Sequence, residues 1–180
     1  ALPILADAAG AADAGKLPAL NASGILDDSI INASVASAAN KIVKLDAGGK
    51  LDLTVMPTGV GPDTAIITAS EALAAGDLVN IWNNASVANV RKADASVAGK
   101  EANGFVLSAV SASAAATVYF EGMNNQCTGL TPGIQFLSAT TAGKTVATAP
   151  TGAGKVVQRC GFAVSATAMN FDGCDPIVLA

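Results

Sequence analysis

The 180-residue chain contains no histidine. The commonest general base and metal ligand near neutral pH is therefore missing, and Ser-His-Asp or Cys-His nucleophilic arrangements are excluded. Aromatic residues make up only 4% and charged residues 13% of the chain, against about 25% charged in an ordinary globular domain. The 10 Lys and Arg are scattered and outnumbered by 14 Asp and Glu, for a net charge of −4. No basic footprint for nucleic acid is present. Only Arg91 and Lys92 adjoin, and they are expected at a solvated strand end. Gly, Asp or Asn break every apolar run well before the ~18 residues needed to cross a bilayer, so no membrane partner is expected. The opening Ala-Leu-Pro-Ile-Leu-Ala-Asp lacks the charged segment of a signal peptide, which leads to the expectation of a protein made in a cytoplasm.

Cysteine is also scarce. Cys127, Cys160 and Cys174 fit neither a disulfide framework nor a Cys-x-x-Cys metal site and read as small buried hydrophobes; a single bridge joining Cys160 to Cys174 stays open. The remaining short motifs are read as turns. Gly143-Lys144-Thr145 lacks the upstream glycine and following helix of a phosphate loop. Asp172 and Asp175 supply two carboxylates where calcium takes about six to eight oxygens. Asn21, Asn32 and Asn84 each open an Asn-Ala-Ser sequon, but without a secretory signal they read as polar turn residues. No catalytic group, cofactor or metal site is implied.

What the chain does have is a repeat. The phrase at residues 16–32 recurs at 41–57, with Lys, Leu, Ala, Gly, Leu and Asp identical in both copies. Each copy is expected to be an extended stretch, a tight turn at Gly24 or Gly49, and a second extended stretch ending in apolar residues. A unit this short cannot enclose its own apolar face. Leu17, Leu20, Leu26 and Ile30, with their counterparts Ile42, Leu45, Leu51 and Val55, are therefore the candidate contacts with other chains. Each is worth about 1.5–3 kcal/mol if fully covered. Between the copies, residues 34–40 have enough alanine for a turn or two of helix, but too short a run to stand alone.

Two prolines and two glycines in residues 56–62 place a boundary there. Residues 1–62 are expected to form an extended N-terminal arm, and 63–180 an all-β domain, a small barrel or sandwich. Runs rich in β-branched residues predict strands at 64–70, 78–82, 87–92, 104–110, 117–121, 134–139, 145–148, 156–164 and 177–179. Gly76, Pro132 and Gly133 mark turns between them. The lone Trp82 is assigned to core or a subunit interface, and the other aromatics to the core.

The motifs Ala75-Gly-Asp-Leu-Val-Asn, Arg91-Lys-Ala-Asp-Ala, Ala102-Asn-Gly-Phe-Val-Leu, Thr117-Val-Tyr-Phe-Glu-Gly, Gly129-Leu-Thr-Pro-Gly, Phe136-Leu-Ser-Ala-Thr, Val156-Val-Gln-Arg-Cys-Gly and Pro176-Ile-Val-Leu-Ala follow one another in an order that resembles a β domain of tailed-bacteriophage structural proteins. The domain is similar to modules of phage fibres and of head-decoration proteins, and the Lys-x-x-x-Leu-Asp/Asn-Ala-x-Gly phrase resembles linking repeats of fibres. The resemblance implies a non-enzymatic virion protein: a capsid decoration or cement protein, a homotrimer on the capsid exterior contacting the major capsid protein. A short head or tail fibre or spike attached through its repeats is the alternative. A carbohydrate-binding module centred on Trp82 and an enzyme rank below both.

Overall fold

The computed structural model describes residues 4–5, 17–18, 33–56 and 61–180, and the chain divides into two compact units, Ala1–Gly61 and Pro62–Ala180.

Among the described residues of the first unit, four two-residue strands form two parallel pairs. β1 (Ile4–Leu5) pairs with β2 (Leu17–Pro18), and β3 (Ala33–Ser34) with β4 (Ile42–Val43). No helix forms at 34–40, where strand end gives way to bends and a turn. After β4 the chain reverses at Asp46: its carboxylate accepts the amides of Gly48 and Lys50 at 2.8 and 2.9 Å, and Gly49 donates to its carbonyl. Gly49 takes φ 73° there. The second extended stretch expected in this copy is instead one turn of 3-10 helix at Leu53–Val55. Asp52 caps it, accepting the Thr54 amide and hydroxyl. These bonds, the hydroxyl's foremost, hold the Asp52 carboxyl below its ordinary range.

The second unit is all-β. β5 (Thr64–Ala69), β6 (Leu78–Asn84), β7 (Val87–Lys92), β8 (Gly104–Phe105) and β9 (Ala115–Tyr119) close into a barrel in the order β5-β7-β6-β8-β9. β5 lies parallel to β7 and antiparallel to β9. A second sheet, ordered β10-β15-β14-β11-β12, is built from β10 (Gly122–Asn124), β11 (Gly133–Leu137), β12 (Thr145–Val146), β14 (Arg159–Ala163) and β15 (Met169–Phe171). β13 (Val156–Val157) pairs with β16 (Ile177–Val178) as a separate ribbon.

Three strand expectations are corrected. The 104–110 strand is only two residues long. The 156–164 run is two strands in different sheets, because Gln158 turns inward between them. Its amide is buried, accepting the Ala102 amide at 2.7 Å and donating to the carbonyls of Ala102 and Cys174. β10 and β15 were not anticipated at all.

Period-two alternation along β6 feeds two cores. Val79 joins Ala69, Leu73, Val90, Val106, Ala116 and Val118 inside the barrel. Its neighbour Leu78 points the other way, to a core shared with Phe105, Leu137, Val156, Cys160, Met169 and Phe171. Phe105 stacks on Tyr119 at 5.4 Å and tilts against Phe171 at 5.7 Å.

The two cores are tied together at Asp77, whose side chain is 2% exposed. One carboxylate oxygen lies 2.7 Å from the Lys144 ammonium and the other accepts the Ala74 amide. Lys92 stands 4.0 Å away. Gly143 packs so closely that a Cβ would meet the Asp77 carboxyl carbon at 2.9 Å. Gly76, with φ 80°, has no room either, since a Cβ there would collide with the Gln126 carbonyl. The turn of the β6–β7 hairpin is unusual for its residues: Ala85 and Ser86 both have positive φ, 50° and 68°, where Asn-Gly is favoured.

Two outcomes follow for stability in denaturant. Replacing Ala85-Ser86 by Asn-Gly is expected to stabilise the domain by about 1 kcal/mol. Asp77→Ala is expected to cost about 2 kcal/mol, since it removes a buried carboxylate that accepts the Ala74 amide and pairs with the half-exposed Lys144; an unchanged midpoint would refute the role given to that carboxylate.

Candidate functional site

The residues proposed as arm contacts are placed unequally. Leu17 lies in β2, in register with Ile4. Leu20, Gly24, Leu26 and Ile30 lie outside the described residues. In the second copy Ile42 is 60%, Leu45 54% and Leu51 49% exposed, while Val55 is half-buried. Val43, not singled out from the sequence, is also exposed. The described part of the arm thus presents a strip of uncovered aliphatic side chains interleaved with Lys41, Lys44 and Lys50.

The turn residues of the β domain are structural. Gly76 sits at the close approach already described, Pro132 is exposed, and Gly133 opens β11 with φ 119°. Arg91 and Lys92 are not a solvated strand end, since both are half-buried and bonded. Arg91 donates to the Asn80 side chain at 3.0 Å and the Gly99 carbonyl at 2.7 Å. The Lys92 amide donates to the Glu71 carboxylate. The Arg91 guanidinium covers the Trp82 ring at 4.8 Å, and the indole N–H donates to Ser70. One face of the lone tryptophan is therefore occupied by the guanidinium. Phe162 is a further correction: it is 42% exposed, not core.

Cys160 and Cys174 are free thiols, as is Cys127. The physical reason lies in a bulge. Between β11 and β14 the register passes from Gln135 opposite Gly161 to Phe136 opposite Arg159, so Cys160 is the extra residue, and it is turned fully into the core. The Cys174 sulfur faces a guanidinium instead, accepting from Arg159 Nη2 and Nε at 2.9 and 3.2 Å. Arg159 also reaches Asp172 at 3.2 Å. Its guanidinium is held above its ordinary range first by the Cys174 sulfur and then by Asp172. Burial pushes the Cys160 thiol up to about 12, with Cys174 adding to the shift. Burial also raises Cys127, against the opposing pull of Lys144.

A cleft of about 480 Å³ opens beside this corner. Its floor holds Phe105, Tyr119 and Phe171, and Asp63, Glu121 and Asp172 line it with carboxylates. No Lys or Arg is among its lining residues. Sequence reading missed it because its residues come from four separated stretches that only the topology gathers. Among the described residues no group of three His, Cys, Asp or Glu is placed to hold a metal ion, and no helix is long and apolar enough to cross a membrane.

In the native protein near neutral pH, iodoacetamide is expected to modify Cys174 first. Cys127 and Cys160 should react only in denaturant, as peptide mass mapping would show; early labelling of Cys160 would contradict the bulge geometry.

No protein family, curated protein or solved structure matches the chain.

Proposed function

We propose that this chain is a non-enzymatic structural protein of a bacteriophage virion, a decoration or cement protein that binds the outside of the head and stabilises it as a homotrimer. The observation that carries the reading is the uncovered strip of the arm's second repeat. Ile42, Leu45 and Leu51 remain about half or more exposed beside strands only two residues long. Such side chains are costly to leave in water, and a second chain is the available cover. The β domain supports the same reading. Its buried polar groups are consumed in holding the fold, and its outer sheet face carries Met123, Ile134 and Phe162. The likeness to phage structural β domains, given by motif order along residues 63–180, supplies the partner: the major capsid protein, with the finished product on the capsid exterior after synthesis in the bacterial host.

The test uses heads assembled from the same phage's major capsid protein, heated with and without the added chain. Binding to the assembled shell alone stabilises it by mass action, so the shell transition is expected to rise by several degrees, with copies spread regularly over the surface in electron micrographs. An unchanged transition overturns the reading; a few copies at one vertex transfers it to the fibre alternative.

A further inference from the structure

The second sheet leaves an apolar row uncovered, and the row ends at the acidic cleft. Register aligns Met123 with Asn170, Asn170 with Phe162, and Phe162 with Ile134, so these four stand side by side across β10, β15, β14 and β11. Met123 is 49%, Phe162 42% and Ile134 54% exposed. At ordinary strand spacing the row is about 14 Å long. Met123 and Asn170 also line the cleft of about 480 Å³, so row and cleft form one continuous surface.

The charge at the cleft end is one-sided. Asp172 is engaged by Arg159, but among the described residues no cation pairs with Asp63 or Glu121, and both are exposed. Leu107 and Tyr119 line the same space. Carboxylates set in a concave, partly apolar wall attract a cation more strongly than on open surface, because less water screens them. The complement is a basic group on an apolar stem, and the row extends that complement well beyond one side chain.

We propose that cleft and row together dock an extended polypeptide segment of a partner protein, which directs an arginine or lysine toward Asp63 and Glu121 and lays aliphatic side chains along Met123, Phe162 and Ile134. An extended chain advances about 3.3 Å per residue, so the row takes about four or five residues beyond the basic one. Alternate residues of that stretch face the sheet, and the recognised pattern is therefore a basic residue followed by apolar ones at every second position. Charge complementarity fixes the end of the segment that enters the cleft. None of these residues belongs to the arm, so the docking surface does not depend on the capsid reading.

The probe is a blocked synthetic hexapeptide, Arg-Val-Ser-Val-Ser-Val, titrated into the full-length protein at low salt while amide chemical shifts are followed by NMR. Saturable shifts are expected from Tyr119 to Met123, at Asn170 and Phe171, and along Phe162 and Ile134. The same peptide with citrulline, a neutral isostere of arginine, is expected to bind about fivefold more weakly. The arginine peptide should lose as much against the Asp63→Asn, Glu121→Gln double variant, with circular dichroism to confirm its fold. Blocked arginine alone should bind about tenfold or more weakly than the hexapeptide, since it leaves the row bare. Equal binding of the arginine and citrulline peptides, indifference to the double variant, or shifts confined to other parts of the domain overturn the proposal. Blocked arginine that matches the hexapeptide reduces the surface to a small-cation cleft and overturns it too, as does a face kept silent by self-association of the protein. Failure of the chain to bind heads overturns the decoration reading alone.

Discussion

The Asp77 carboxylate, shut away from water and 2.7 Å from the Lys144 ammonium, imposes the arrangement of the β domain. A carboxylate in such a place costs several kcal/mol unless it is paired and hydrogen-bonded, so the β11–β12 connection must be brought against the barrel to supply the cation. Backbone bonds then follow the same line: Leu78 donates to the Gly143 carbonyl and Gly143 to that of Ala93. The strap that continues from Ala93 makes further bonds, Ala95 to Ser138 and Val156 to Ala95. Barrel and sheet are thus stitched by main chain around one charged pair, and Gly143 is glycine because the carboxylate leaves no space for a side chain.

Two cores of modest residues result. The barrel interior is filled mainly by Val and Ala, with Leu73 among them and Ile67, Ile81, Val110 and Phe120 packed against it. The other core holds the ring cluster in which Phe105, Tyr119 and Phe171 meet. Few aromatics and few charges mean that the surface cannot be wholly polar, and the excess apolar area appears on the outer sheet face and the arm.

Strands with strong β-branched alternation were legible in the sequence. The β7 strand at Val87–Lys92 coincides with its expected range, and β6 differs only in running on through Asn83 and Asn84 into the turn. Gly122–Asn124 and Met169–Phe171 escaped because Gly, Met and Asn have little β preference; these strands exist because the sheet pairs them. The break in the 156–164 run was hidden for a different reason. Nothing local in Val-Val-Gln-Arg-Cys says that Gln158 will be drawn to Ala102, a residue far along the chain. The candidate site divides the same way. The arm strip was readable from its repeat, whereas the cleft and the Arg159–Cys174 contact join positions that only folding brings together.

The arm enters the β domain through β5, and β5 has a ladder on either side. It pairs with β9 from Thr64–Tyr119 to Thr68–Ala115, and with β7 at Thr68 and Ala69. A pull transmitted along the backbone from the arm therefore acts lengthwise on a strand that is bonded on both flanks. Several hydrogen bonds must rupture together, in shear, before the strand can slip, instead of one after another as when a hairpin is peeled open. Tension entering at Thr64 is thus resisted by the ladders that hold β5 on both flanks.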